Sequence, residues 1–177
     1  MKLNFGWTLI GLLLLGAVAC DDDDDQSAST ITMNDQTFLS NAAFANLAEI
    51  AAASAAKDRA SNQDVVAFAN HMVEEHNTAW TDLQNLANSK KTDLPDSADQ
   101  GHRAKLAYLK TLQGYQFDTA YVNSQVKDHQ MAISLFTTAQ MSADDADVRA
   151  YAVKYLPHLQ EHLTRAQELK AALTDGP

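Results

Sequence analysis

The chain has 177 residues, with 13 Lys and Arg against 23 Asp and Glu, a formal net charge of −10 that phosphate backbones repel. Nucleic acid is therefore excluded as an expected partner. One cysteine, Cys20, permits no intrachain disulfide, so stability has to come from packing, or from packing plus a ligand.

Residues 1–19 carry a positive start at Lys2, an apolar stretch from Phe5 through Leu15, and the small residues Gly16-Ala17-Val18-Ala19. This is the pattern of a secretory signal peptide; the apolar run is short for a membrane span, which needs about 20 residues. Ala17-Val18-Ala19-Cys20 resembles the lipobox of bacterial lipoproteins, with Ala17 where Leu is usual. The resemblance implies a lipidated Cys20 that anchors the chain to a membrane of the cell envelope.

Residues 20–34 then read as the lipidated cysteine and an acidic, disordered tether, beginning with the run Asp21 to Asp25. That run resembles the export signal of surface lipoproteins in the Bacteroides and Flavobacterium group, which implies an outward-facing outer-membrane protein. In enterobacteria an Asp beside the lipidated cysteine resembles a retention signal instead, so a periplasm-facing location stays open.

Residues 35–173 read as one all-α domain, long enough for a hydrophobic core. The apolar spacing predicts helices over 36–59, capped by Asp35, and 62–90, with Ser61 and Asp64 as a capping box. Lys90-Lys91 suits the negative end of that helix dipole. Pro95-Asp96-Ser97 starts a short connector over 97–112 that Gly114 ends; helices over 115–141 and 142–173 follow, the last capped by Ser142 with Asp145. Four long helices with apolar stripes and an extra short connector helix predict a four-helix bundle. Pro157, inside the last helix, lacks the N–H that the Val153 carbonyl would accept, which predicts a kink.

Four polar groups interrupt the stripes, one per long helix: Glu49, His76, His129 and His162. At ~1.5 Å per residue they lie ~17 to ~28 Å from the nearest turns, near mid-bundle. Buried apart, each would cost on the order of 1 to 3 kcal/mol, whereas a cluster can share partners. Imidazoles with one carboxylate suit zinc, iron or copper. His158 precedes His162 by one turn, the spacing that two ligands on one helix need. The alternatives are a buried hydrogen-bond network and histidines at the stripe edge. His71 and His102 read as solvated or connector residues, Trp80, Tyr121, Tyr151 and Tyr155 as core aromatics, and Glu74-Glu75 as surface, with Glu75 able to orient an imidazole.

Several segments together resemble the bacterial domain-of-unknown-function family numbered 4142: Phe38-Leu39 through Glu49-Ile50, Val65 to Ala69 with Met72 to His76, Gly114 with Phe117 to Tyr121, Asp128-His129, and Leu156-Pro157 with His162. The resemblance implies a ferritin-like fold, export and an outer-membrane label, and it points to Glu49, His76, Asp118, Tyr121, His129 and His162 as polar motif positions. It implies no reaction.

Three functions follow as expectations: a metal-binding or metal-sensing envelope protein, a structural or interaction module whose polar cluster only holds the core, and a di-iron oxidase. Di-iron bundles carry two Glu-x-x-His pairs, but Val73 and Leu159 stand three residues before His76 and His162. No Gly-rich phosphate loop, nucleophile elbow or paired-cysteine motif occurs.

Overall fold

Thr32 opens the first helix of the computed structural model, which describes residues 31–175 and Lys2. The leader, Cys20 and the acidic run lie outside the described residues. Helix α1 spans Met33–Arg59, α2 Gln63–Ser89, α3 Gln100–Leu109, α4 Gly114–Ser142 and α5 Ala146–Asp175. No strand occurs among the described residues, and none of their helices is long and apolar enough to cross a membrane.

Every long helix is where the periodicity puts it, but the caps differ from those expected. Thr32, not Asp35, is the first N-cap; Asp35 sits three residues later and completes a capping box with it. Helix α1 therefore starts inside the segment read as tether. Asn62 caps α2 by accepting from the Asp64 and Val65 amides, because Ser61 is engaged elsewhere. Asp99 caps a connector shorter than expected, and Asp145 caps α5 through the Asp147 and Val148 amides. Ser142 is the last residue of α4.

Gly114 does not end the connector; it opens α4 at φ +57°, a conformation that strains any residue with a Cβ. Lys91 adopts φ 52° just beyond α2, where the Lys91 and Thr92 amides close on the Asn88 and Ala87 carbonyls. Lys90 turns away to pair with Asp145 and Asp147. Helix α5 continues through Pro157.

Helix α1 packs along α2 and α4 along α5, while α1 on α4 and α2 on α5 close the square. One apolar cluster joins the first half of α1 and of α5 to the second half of α2 and of α4, including Phe38, Leu83, Phe136 and Tyr151. A second joins the opposite halves, including Ala53, Phe68, Phe117 and Leu169. Neighbouring long helices are thus antiparallel, and the stretch 90–113 carries the chain back along the bundle to start α4. One long crossover in a four-helix bundle is the ferritin-like connection.

Two aspartates lock this arrangement. Asp35, at the start of α1, accepts the Asp144 and Asp145 amides of the α4–α5 turn, each at 3.1 Å. Asp118, near the start of α4, accepts the Ser61 and Asn62 amides of the α1–α2 turn at 3.0 Å and the Ser61 hydroxyl at 2.6 Å. Each helical hairpin holds the turn of the other.

Candidate metal centre

Between the two apolar clusters lies a buried polar layer. Asn46 and Glu49 come from α1, His76 from α2, Gln125 and His129 from α4, and His162 from α5. Each replaces an apolar residue in a stripe: Ala43 and Ala52 flank the α1 pair, Met72 and Ala79 flank His76, and Leu159 and Ala166 flank His162. The three imidazoles meet, with ring centres 5.3 to 6.0 Å apart. One nitrogen from each lies within 4.8 Å of the other two.

The hydrogen bonds settle which nitrogens face inward. Asn46 Nδ2 donates to the His76 backbone carbonyl at 2.8 Å, which orients the amide so that its Oδ1 accepts from His76 Nδ1 at 2.7 Å. His129 Nδ1 lies 2.9 Å from the Gln125 carbonyl oxygen, an acceptor only, and so carries the proton. Both rings therefore present an Nε2 lone pair to the core. Among the described residues neither Nε2 has a hydrogen-bond partner, nor does either nitrogen of His162. Holding one ring nitrogen by hydrogen bond while the other stays free is the usual preparation of a metal-binding histidine.

Burial keeps these rings neutral. It pushes the pKa of His76 well below 6.5, reinforced by the neighbouring His129 and His162. Burial also lowers His129, against the opposing effects of the Gln125 carbonyl and Asp128. His162 is pushed down to about 3, first by burial and then by His129 and His71. The 3.7 Å approach of His162 Nε2 to Glu75 Oε2 is thus no ion pair at neutral pH, and it is too long for a hydrogen bond.

Two inward lone pairs, and a His162 ring whose unfixed tautomer can turn a third inward, suit a shared electron-pair acceptor. A water molecule brings two O–H donors and can satisfy two of them, whereas one metal ion takes all three. Zinc–imidazole bonds of ~2.0–2.1 Å place tetrahedral nitrogens roughly 3.4 Å apart, so small ring rotations from the observed spacing suffice. The donor set fits a late divalent ion, with three neutral nitrogens and room for a further ligand.

The layer opens into a cleft of about 300 Å³, walled largely by apolar residues such as Phe136, Leu135 and Tyr151. Glu49 lines the same cleft and accepts from Gln125 Nε2 at 2.7 Å. Its pKa is raised to about 7, first by burial and then by Asp128, despite the Gln125 hydrogen bond. Tyr121 lies beyond it with an unpartnered hydroxyl, and its pKa is raised by burial and by Glu49. On the cleft wall, Glu75 Oε2 lies 2.7 Å from His158 Nδ1, and just outside the lining the partly exposed His71 ring stands edge-on to His162 at 5.4 Å.

Of the residues singled out from sequence, His76, His129 and His162 form one group. Glu49 and His158 line the cleft outside it. The Glu-x-x-His pairs of a di-iron centre are absent from the sequence, and among the described residues no carboxylate joins the three imidazoles. Sequence reasoning passed over Asn46 and Gln125, although both interrupt apolar stripes one turn before Ile50 and His129. It also set His71 aside. Asp118, a family motif position by resemblance, serves the interhelical turn rather than the cleft.

Comparison with known proteins agrees with this architecture. The family described as "Domain of unknown function (DUF4142)" matches residues 21–169. A crystal structure of a DUF305 fragment from Deinococcus radiodurans is similar in fold, with a TM-score of 0.72 at 12% identity over 80% of this chain and 98% of that one. No curated protein matches.

Proposed function

The chain belongs to the DUF4142 family of unknown function, and we propose that it binds one late divalent transition-metal ion in its bundle core through His76, His129 and His162. The observation that carries this is the convergence of buried imidazole nitrogens that no group among the described residues satisfies. Leaving such acceptors unpaired costs on the order of 1 to 3 kcal/mol each. A ligated ion would remove that cost for all three. Among first-row ions the nitrogen set favours copper or zinc over iron, and metal binding or sensing in the cell envelope is the activity this supports. An interaction module with a self-satisfied polar network is supported less, because the imidazoles do not hydrogen-bond one another.

Anchoring belongs to the same proposal. The sequence supports a lipid on Cys20, which would hold the bundle at an envelope membrane. Metabolic labelling with a fatty-acid analogue tests this: label is expected on the parent chain and lost in Cys20→Ala, and equal label in both refutes it.

For the metal, elemental analysis of the untagged chain is set beside a His76→Ala/His129→Ala/His162→Ala variant after equilibration with zinc, copper and iron. One equivalent in the parent and none in the variant is expected. No bound metal in either overturns the proposal, and two iron equivalents in the parent favour an oxidase.

A further inference from the structure

His162 belongs to two groups of potential ligands. Besides the core group it lies with His71 and Glu75, and one donor atom from each of these three also falls within 4.8 Å of the others. His71 and Glu75 are one helical turn apart on α2 and face the same way. Both are partly exposed, whereas His76 and His129 are buried. The His158 ring holds Glu75 Oε2 at 2.7 Å, and this same oxygen, which has a further lone pair, lies 3.7 Å from His162 Nε2. Both nitrogens of His162 lack a hydrogen-bond partner.

We infer that His71, Glu75 and His162 form a second metal position at the cleft rim, through which a divalent ion loads into and leaves the core, with His162 as the ligand common to both. The inference rests on the core reading above for its destination, not for the rim ligands themselves. A carboxylate and an exposed imidazole capture a hydrated ion more readily than a buried set of neutral nitrogens, because the anion attracts the cation before any water is shed. A neutral imidazole has one lone pair, so His162 serves one ion at a time. Passing the ion inward exchanges Glu75 and His71 for His76 and His129 while His162 stays bound or re-ligates through a ring flip. No bond to carbon changes and no electron is transferred.

Stopped-flow loading of the full chain with zinc alone, followed by displacement from a chromophoric chelator, tests this with three variants. The parent is expected to bind one equivalent. His71→Ala/Glu75→Gln should bind the same equivalent in the core but load at least about tenfold more slowly. His76→Ala/His129→Ala should keep one equivalent at the rim, at least about 100-fold weaker, and adding His71→Ala should abolish it. If the parent binds one equivalent while the rim variant loads at the parental rate, the rim position is refuted and the core site stands. Two equivalents in the parent refute a shared His162. One equivalent in the parent that persists at parental affinity in His76→Ala/His129→Ala and is lost on adding His71→Ala refutes the core and retains the rim site; no zinc in any chain refutes both. The His71 substitution is at the surface, so the loading rate decides the question even where the core variant does not fold.

Discussion

At the two ends of the bundle, buried carboxylates are surrounded by donors; at its middle, buried imidazoles meet none. Asp35 and Asp118 are each 1% exposed and each accepts amides from the turn of the opposite hairpin. His129 and His162, 1% and 3% exposed, turn unpaired nitrogens toward each other. Polar groups that serve only the fold are paired within the fold, because leaving them unpaired is costly. The middle layer departs from that rule at all three imidazoles and at Gln125 Oε1. Among the described residues no partner meets these imidazole nitrogens, and the proposed metal ion would supply one.

The sharpest way to break this contrast is to remove an end carboxylate. Asp118→Ala leaves the Ser61 and Asn62 amides and the Ser61 hydroxyl without their acceptor. Loss of charge-assisted bonds of this kind should cost about 3 kcal/mol or more, read as a lower urea midpoint with zinc present or absent. A loss below about 1 kcal/mol would mean that the turn re-pairs with solvent and that the carboxylate is no lock.

Glu49 stands between the two classes, being paired with Gln125 yet buried beside Asp128. Its pKa of about 7 in the fold, against 4.5 when unperturbed, means that the folded state holds the proton more tightly. Stability therefore falls as pH rises from about 4.5 to about 7, and the penalty is complete above that window. Glu49→Gln keeps the shape without the charge. Its advantage over the parent should grow across the window to at most about 3 kcal/mol at pH 8, measured by urea unfolding of metal-free protein. An advantage independent of pH would show that Glu49 is not desolvated. The histidines work in the opposite direction: with folded pKa values below 6.5, they cost nothing above that pH and destabilise the fold as pH falls toward about 3 for His162.

The helices and the coincidence of Glu49, His76, His129 and His162 at mid-height are legible in the sequence, because both follow from a 3.6-residue period and a fixed rise. The caps are less so. Ser61 has the right chemistry to cap α2, but Asp118, 57 residues away, takes its amide and hydroxyl, and Asn62 caps instead. No local rule contains that competition. Nor does a period show which imidazole nitrogen is free: that depends on Asn46 of another helix for His76 and on a backbone carbonyl for His129. His71 looks like a surface residue on its own helix, and only the packing of α5 brings His162 to it.

The smallest effect separates the two classes most directly, because its sign differs. His129→Leu replaces a ring of similar volume and removes one of the converging lone pairs. The Gln125 carbonyl it releases belongs to the α4 ladder and remains an acceptor for the helix. Nothing buried is newly orphaned, in contrast to His76→Leu, which would strand Asn46 Oδ1. Exchanging an unsatisfied polar group for an apolar one of similar shape is neutral or stabilising, so metal-free His129→Leu should match the parent or gain about 1 kcal/mol. With zinc the order should invert. The parent gains about 2.7 kcal/mol at a free ion concentration 100 times its dissociation constant, and the variant gains little. Thermal melts of both chains in chelator and in zinc measure this. If His129→Leu were destabilised as strongly as Asp118→Ala in chelator, the imidazole would be another structural tie, and the distinction between the ends and the middle of the bundle would collapse.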